Sequence, residues 1–211
     1  MTRSYLAQRL HGIYAIVNEG RSDPVELTRA VLAGGAGIVQ YRAKSGIVPQ
    51  HAQAIRELTA AAGALFVLND VWKAADAYDA DGVHLGPDDA RVDELAAIRA
   101  ALPDRLIGVS CGTIDEARDA NRFDLDYIGV GSVYATQSKH DAGEPIGLDG
   151  LRAIAAQSVV PVAAIGGISR SNVGEVALTG AAMAAVISAI AASADPKAAT
   201  AELLELWKAR A

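Results

Sequence analysis

Two aspartates, each just after an apolar run, could together hold a divalent cation. Asp70 follows the run 64–68, and Asp89 follows the run 82–85. If these runs are neighbouring parallel strands, both carboxylates emerge at one edge of the sheet, because adjacent strands are only about 4.8 Å apart. Mg²⁺ favours one or two carboxylates together with substrate phosphate oxygens, so the pair predicts a magnesium site. Two alternatives stay open: each aspartate could instead cap the helix-like segment that follows it, and the spacing does not distinguish Asp89 from Asp88.

A second group of polar residues accompanies the run 37–41. Gln40, Arg42 and Lys44 occupy alternate positions, and alternation in a strand directs such residues to one side. An amide with two cations suits an oxyanion, since arginine offers a planar fork and lysine a compact charge. A solvated strand end is the simpler explanation of this pattern on its own, because lysine and arginine are mostly surface residues.

Hydroxyl groups and a further lysine follow the fifth and sixth runs. Ser110 comes directly after the fifth run, and Thr136, Ser138 and Lys139 lie in the loop 136–145. Hydroxyls, backbone N–H groups and one lysine suit a phosphate ester, and a long loop in a tight barrel is more often functional than decorative. A solvent loop is the alternative.

Glycines and a serine mark the ends of the last two runs. Gly166 and Gly167 follow the seventh run, and the eighth ends at Ile187 and Ser188. Glycines let the backbone approach a ligand closely. In barrels, the loops after the seventh and eighth strands, with a helix N-terminus, frequently form a phosphate site. A tight turn alone is the other explanation of a glycine pair.

The elements that must position these residues alternate regularly along the chain. Several apolar runs have almost no polar residue, as expected of strands covered on both faces. Eight strand–helix units predict an α/β fold, a compact (β/α)₈ TIM barrel, with an open doubly wound sheet as the competitor. No linker interrupts residues 1–211, which predicts a single catalytic domain. The predicted strands are 12–17, 37–41, 64–68, 82–85, 106–109, 127–130, 160–165 and 183–188, and the predicted helices include 24–33, 49–62, 91–101, 114–121, 169–178 and 196–210.

Composition limits the classes of function. The 211 residues are 51% hydrophobic, enough for one sizeable core, and the net charge of −6 argues against nucleic acid or an anionic membrane as a partner. Cys111 is the single cysteine, which excludes an internal disulfide and indicates a reducing compartment. The first residues contain no apolar targeting segment. We therefore expect a cytoplasmic protein that acts on small molecules, and association into a homo-oligomer is left open.

The chain shows no evident nucleophile–base set. The four histidines are scattered without ligand spacing, and Cys111 has no evident histidine partner. His84 is predicted to pack or to form hydrogen bonds in or beside a strand. A site that holds phosphates and metal, with little for covalent catalysis, indicates a reaction whose leaving group is phosphate or diphosphate.

Seven motifs, in order along nearly the whole chain, resemble those of the thiamine-phosphate synthase family. Together they are highly specific, although none would suffice alone. They are 39–44 (VQYRAK), 68–70 (LND), 81–86 (DGVHLG), 108–110 (GVS), 126–131 (DYIGVG) with 136–139 (TQSK), 164–168 (AIGGI) and 186–190 (VISAI).

The resemblance implies a fold, a reaction and a set of roles. The implied reaction is a Mg²⁺-dependent, dissociative substitution in thiamine biosynthesis. It joins 4-amino-2-methyl-5-(diphosphooxymethyl)pyrimidine to the phosphate of 4-methyl-5-(2-hydroxyethyl)thiazole, giving thiamine phosphate and diphosphate. Asp70 and Asp89 would carry Mg²⁺, so the resemblance prefers Asp89 to Asp88. The pyrimidine diphosphate would contact Gln40, Arg42, Lys44, Asn69, Ser110 and Lys139, with Arg42, Lys44, Ser110 and Lys139 acting in catalysis, and the thiazole phosphate would contact Thr136, Ser138, Gly167, Ile187 and Ser188.

Three other functions compete with this one. A non-catalytic regulator that binds a thiazole phosphate, or a paralogue that isomerises the thiazole, would be expected to lack the pyrimidine-diphosphate and metal residues, which this chain retains. Another phosphate-binding barrel, such as a sugar-phosphate isomerase, would explain Gly166 and Gly167 but not the two aspartates. The sequence therefore favours the synthase.

Overall fold

Eight parallel strands form a closed barrel in the computed structural model, which describes residues 2–20, 22–87, 94–136, 138 and 143–210. The strands pair in chain order, and the eighth pairs with the first. This closure confirms the predicted (β/α)₈ barrel and excludes the open doubly wound sheet. The strands are β1 (Gly12–Asn18), β2 (Ile38–Arg42), β3 (Leu65–Asn69), β4 (Gly82–Leu85), β5 (Leu106–Cys111), β6 (Tyr127–Val130), β7 (Val162–Ile165) and β8 (Met183–Val186).

Helices surround the barrel, and local signals set where several of them begin. The Asp23 side chain accepts hydrogen bonds from the backbone N–H groups of Val25 and Glu26 at the start of the helix Pro24–Ala33. Thr113 and Glu116 form a reciprocal capping box on the helix Ile114–Ala120. No helix in the described part of the chain is long and apolar enough to cross a membrane. The helices are α1 (Arg3–Ala7), α2 (Pro24–Ala33), α3 (Pro49–Ala62), α4 (Leu95–Ala101), α5 (Ile114–Ala120), α6 (Gly147–Ala155), α7 (Val173–Ala177), α8 (Ser188–Ala191) and α9 (Pro196–Lys208).

Side chains alternate between two separate apolar cores along the strands. One face of each strand packs outward on the helices, as Val39, Phe66 and Ile128 do. The other face fills the barrel interior, where Ile38 and Val67 are fully buried. Both faces of a strand in such a barrel are covered, which explains why the runs are apolar almost throughout.

The amino ends of the strands are closed by the N-terminal helix α1. Leu6, within α1, packs with the residues of the barrel interior. Nearby, Arg3 Nε donates to the buried carboxylate of Asp126 over 2.7 Å. The same carboxylate accepts the Ile107 N–H at 2.8 Å and an Arg99 N–H at 2.6 Å, which ties three separate elements together. Because this end is packed and ion-paired, the opposite end of the barrel is the one left for a ligand.

Of the element boundaries that differ from the sequence prediction, three follow the ends of β3, β7 and β8. The helix-like segment after Asp70 is one 3₁₀ turn, Trp72–Ala74. The predicted helix 169–178 is helical only over α7, because Asn172 first closes a turn in which its side chain accepts the Ser169 N–H and donates to the Gly167 carbonyl. The predicted strand 183–188 ends two residues early, since Ser188 already begins α8.

Candidate functional site

Cationic and acidic side chains meet at the carboxyl ends of β1, β2 and β3. Arg42 ends β2, and its Nη1 donates to Asn18 Oδ1 at the end of β1 over 3.2 Å. Lys44, two residues further along, has its Nζ 3.7 Å from Asp70 Oδ2. The register explains this meeting, because Asn18 pairs directly with Arg42 and β3 is the next strand. The structure thus places Arg42, Lys44 and Asp70 together; we call these three residues the charged rim.

Asp70 has an uncommon backbone conformation and does not cap a helix. Its φ is 66°, in the left-handed region that side chains other than asparagine and aspartate rarely adopt. The N–H groups of Val71 and Trp72 bond to the backbone carbonyls of Asn69 and Asp70, and the 3₁₀ turn has no side-chain cap. Capping by Asp70 is therefore wrong as an explanation of this residue. Its side chain is 19% exposed beside Lys44, where a ligand can reach it.

A cavity of about 280 Å³ opens among the ends of the later strands. Its wall includes the loops after β5, β6, β7 and β8, and Pro87 after β4. Six of the residues selected from the sequence line it: Ser110, Thr136, Ser138, Gly167, Ile187 and Ser188. The remaining described candidates belong to the charged rim or lie next to it, so the candidate site has two parts.

Hydroxyl groups and glycine backbone shape the cavity. Ser138 Oγ donates to Ser188 Oγ at 3.2 Å, and the Ser138 N–H donates to Thr136 Oγ1 at 3.1 Å. Gly166 has φ of 102°, and a Cβ there would overlap Ser132 Oγ and lie 2.7 Å from Ser132 Cα. A side chain at Gly166 would collide with Ser132, so glycine is required there by both the backbone conformation and the close approach.

A backbone hydrogen bond and buried polar side chains connect the charged rim with the cavity. The Asp70 N–H donates to the His84 carbonyl at 2.8 Å, and His84 Nε2 lies 3.1 Å from Ser110 Oγ. The His84 ring stacks on Tyr127, with centroids 5.5 Å apart. Below Arg42 on β2, Gln40 is buried and its Nε2 donates to Tyr14 Oη over 2.8 Å.

The two tyrosines meet inside the barrel and complete this connection. Tyr14 Oη and Tyr127 Oη are 2.9 Å apart, and both rings are fully buried. Burial raises the pKa of each phenol well above its usual value, so both hydroxyls stay neutral hydrogen-bonding groups. Gln40 on β2 and Ser110 on β5 are therefore linked through Tyr14, Tyr127 and His84, three side chains that we call the interior floor.

Cys111 borders the cavity but is not activated. Burial, with the nearby Glu116 carboxylate, raises the pKa of the Cys111 thiol to about 12. The thiol is therefore protonated at neutral pH, while a cysteine nucleophile needs a lowered pKa. Glu116 is itself held by the Gly112 and Thr113 N–H groups, at 2.5 and 3.1 Å. This wall provides shape and no covalent chemistry.

Comparison with known proteins agrees with the geometry. Residues 13–190 match the family model described as thiamine monophosphate synthase. A thiamine-phosphate synthase from Moorella thermoacetica is 45% identical over 190 residues, which cover 89% of this chain and 90% of that protein. The chain belongs to the thiamine-phosphate synthase family. A thiamine-phosphate synthase from Archaeoglobus fulgidus is 46% identical over 184 residues, which cover 86% of this chain and 85% of that protein.

Structural comparison extends the relation over nearly the whole chain. The thiamine phosphate pyrophosphorylase from Pyrococcus furiosus superposes on this chain with a TM-score of 0.87 at 38% identity. The match covers 97% of this chain and 98% of that protein. Membership of the thiamine-phosphate synthase family confirms the predicted enzyme class, a transferase of thiamine biosynthesis. The resemblance seen in the seven motifs is thereby confirmed as well.

Two residues that the sequence assigned to this thiamine-phosphate synthase site, Asp89 and Lys139, lie outside the described residues. So does most of the loop between Thr136 and Gly143. Among the residues that are described, no cluster of three or more histidine, cysteine, aspartate or glutamate side chains could hold a metal ion. Of the two aspartates predicted to hold Mg²⁺, the described part of the chain includes Asp70 alone.

Sequence reasoning missed four side chains of the site or its floor. Asn18 contacts Arg42, and Tyr14, Tyr127 and His84 form the interior floor. His84 was predicted only as a packing or hydrogen-bonding residue, a description that its contact with Ser110 confirms. Alternation could have indicated two of them, because Tyr14 and Asn18 occupy the positions of β1 whose side chains point into the barrel. The unbroken apolar run conceals this alternation.

Proposed function

We propose that this chain makes thiamine phosphate from 4-amino-2-methyl-5-(diphosphooxymethyl)pyrimidine and 4-methyl-5-(2-phosphooxyethyl)thiazole. One observation carries the proposal: a charged rim suited to a diphosphate and a hydroxyl-lined cavity suited to a phosphate ester lie side by side at one end of the barrel. A single phosphorylated substrate would need only one of them. Family membership supports the same reaction.

The charged rim is the proposed diphosphate site. Arg42 would donate two parallel N–H bonds to phosphate oxygens and Lys44 would add a point charge. Asn69, buried at the end of β3, and Lys139 would contribute further donors. Gln40 already uses its amide nitrogen on Tyr14, which leaves its carbonyl oxygen for the pyrimidine side of the substrate.

Asp70 is suited to serve as a ligand of Mg²⁺. Its carboxylate offers the hard oxygen donors that Mg²⁺ prefers, and its side chain is exposed enough for an ion that keeps several waters. Lys44 Nζ is 3.7 Å away, too far to be a hydrogen bond. Asp70, with Asp89, would hold the ion beside the diphosphate. When bound, Mg²⁺ supplies positive charge that offsets the charge on a departing diphosphate.

The cavity is the proposed site of the thiazole phosphate. Thr136, Ser138 and Ser188 offer hydroxyl groups that are already joined by hydrogen bonds. Gly167 and Ile187 offer backbone groups, and the positive φ of 63° at Gly167 turns the chain where a side chain would contact Tyr134. These donors would fix the thiazole with its ring nitrogen directed toward the pyrimidine.

The proposed reaction breaks one bond and forms one. The bond from the pyrimidine methylene carbon to the diphosphate oxygen breaks, and its electron pair leaves with the diphosphate. Arg42, Lys44 and Lys139 stabilise that charge, and Ser110 donates to the same group. The lone pair of the thiazole nitrogen then forms the new bond to the methylene carbon. This nitrogen carries no proton, so the reaction requires no general base.

The test measures thiamine phosphate and diphosphate from both substrates, with and without Mg²⁺. Asp70→Asn keeps the size and tolerates the left-handed backbone, and we expect at least a ~100-fold loss of turnover from the lost charge. Asp104→Asn, an exposed residue in the turn before β5, is the matched control and should retain full activity. Saturable binding of the thiazole phosphate without turnover would replace this proposal with a regulator or an isomerising paralogue.

The remaining sequence expectations extend this proposal. We propose that residues 1–211 act as one catalytic domain on small-molecule substrates, with neither nucleic acid nor a membrane as partner. A cytoplasmic location and association into a homo-oligomer stay predictions from the sequence, and sedimentation of the purified protein would measure the second.

A further inference from the structure

A cluster of three side chains lies just outside the charged rim and contacts no proposed ligand. Glu19, directly after β1, accepts hydrogen bonds through Oε2 from the Tyr41 hydroxyl and from His51 Nδ1, the latter at 3.0 Å. Tyr41 lies on β2 between Gln40 and Arg42 but on the opposite face, and its ring is buried against the helices. We call Glu19, Tyr41 and His51 the Glu19 cluster.

Hydrogen bonds at Glu19 and Tyr41 hold both ends of the loop that carries Lys44, the first through the Glu19 backbone and the second through the Tyr41 side chain. At its start, the Glu19 N–H donates to the Arg42 carbonyl at 2.9 Å. At its end, the Val48 N–H donates to the Tyr41 hydroxyl at 3.4 Å. Between these points the Gly46 N–H closes a turn onto the Ala43 carbonyl at 3.0 Å. The segment is thereby held at both ends, and the Glu19 carboxylate acts on it through the Tyr41 hydroxyl that accepts the Val48 N–H.

The hydrogen bonds of the Glu19 cluster are charge-assisted. Although burial opposes it, the hydrogen bonds from Tyr41 and then His51 hold the pKa of the Glu19 carboxyl below its usual value. Glu19 is therefore an anion at neutral pH, and hydrogen bonds to an ionised acceptor are about twice as strong as neutral ones. Burial and the bond to Glu19 raise the pKa of Tyr41, so its hydroxyl stays a donor.

We propose that the Glu19 cluster is a positioning device for the diphosphate site, which holds Arg42 and Lys44 in the geometry that binds the leaving group. This inference rests on the proposed function. It assigns a role to three residues that touch neither substrate nor metal, and it explains why a carboxylate lies next to a site for an anion.

A purely electrostatic role and a positioning role of Glu19 predict opposite changes in diphosphate affinity when the Glu19 side chain is removed. If Glu19 acted only through its charge, its removal would take a negative group away from the site and tighten diphosphate binding. If Glu19 positions the loop, its removal weakens binding although the local charge becomes more favourable. The sign of the change therefore distinguishes the two.

The experiment titrates inorganic diphosphate with Mg²⁺ into the wild type and into Glu19→Ala, Glu19→Gln and Tyr41→Phe. We expect Glu19→Ala and Tyr41→Phe to weaken binding about 5- to 10-fold, the effect of one charge-assisted hydrogen bond. Glu19→Gln keeps an oxygen acceptor and should lose less. The double variant Glu19→Ala/Tyr41→Phe should bind diphosphate no more weakly than the weaker-binding of its two single variants, because both changes break the same contact.

Kinetics supply the second readout. In the positioning variants the KM for the pyrimidine diphosphate should rise about as much as the diphosphate affinity falls, while the KM for the thiazole phosphate stays within about twofold. Tyr5→Phe, an exposed tyrosine on α1, and Glu205→Ala, an exposed glutamate on α9, are the matched controls. A general loss of structure would raise both KM values together.

Each outcome decides one of the two proposals. Tighter or unchanged diphosphate binding in Glu19→Ala, or an equal rise of both KM values, would overturn the positioning role. A wild type that binds diphosphate yet makes no thiamine phosphate would overturn the proposed function, while the titrations would still test the Glu19 cluster. If Tyr41→Phe does not fold, the two Glu19 variants decide the matter.

Discussion

The left-handed backbone of Asp70 allows its structural and catalytic contributions to be measured separately. Asp70→Ala and Asp70→Gly both remove the carboxylate and its 3.7 Å contact with Lys44. The two variants differ only in how readily the new residue adopts a φ of 66°. We expect both to lose activity equally and to differ in stability.

The size of the stability difference follows from the backbone. An alanine in the left-handed region costs roughly 1–2 kcal/mol. A glycine avoids that strain but loses about 0.5–1 kcal/mol more conformational entropy on folding. The net advantage of Asp70→Gly over Asp70→Ala is therefore about 1 kcal/mol, which in a protein of this size is a difference of about 2–4 °C in Tm.

The assay is paired thermal unfolding of the two variants in the same buffer, alongside turnover with both substrates. The Lys44 contact cancels between the variants, because both lose it. Equal melting temperatures would refute the left-handed assignment of Asp70. Substantial turnover in either variant would refute its role as a magnesium ligand, whatever the melting temperatures are.

Three further perturbations test other parts of the structure. Gly166→Ala should destabilise the protein by about 1–3 kcal/mol more than Gly46→Ala in chemical unfolding, because both have a positive φ but only Gly166 has no room for a Cβ; equal losses would contradict the close approach. Cys111, whose pKa burial raises to about 12, should resist alkylation at pH 8 until the protein unfolds, as mass spectrometry would show; rapid labelling of the native protein would contradict it. The hydrogen bond from Arg3 lowers the pKa of Asp124, so below about pH 4 the unfolded chain binds more protons than the folded one and the free energy of unfolding should fall. Arg3→Ala should make the free energy of unfolding depend less steeply on pH between about pH 5 and 3.

The barrel and much of the site could be predicted because the signals are local. Eight apolar runs that alternate with helix-like segments are visible in windows of a few residues, and each predicted strand lies within two residues of the observed one. Alternation likewise places Gln40 and Arg42 on the same face of β2 without knowledge of the rest of the chain. The family motifs add the identity of the reaction.

Boundaries at the ends of the later strands could not be predicted with the same accuracy. The turn closed by Asn172 delays α7, and a single 3₁₀ turn follows Asp70 where a helix-like segment was expected. In both places the backbone bonds to groups that have no distinctive spacing in the sequence. Propensity could not reveal them, because side-chain and turn hydrogen bonds outweigh it there.

By itself, the sequence determined the class of fold, the family and the set of polar residues that follow the strands. The tertiary structure alone decided which polar side chains touch: Asn18 with Arg42, Lys44 with Asp70, and Tyr14 with Tyr127 across the barrel. The physical reason is distance along the chain. Tyr14 and Tyr127 are separated by 113 positions, and only closure of the barrel in one register brings their hydroxyl groups within hydrogen-bonding distance.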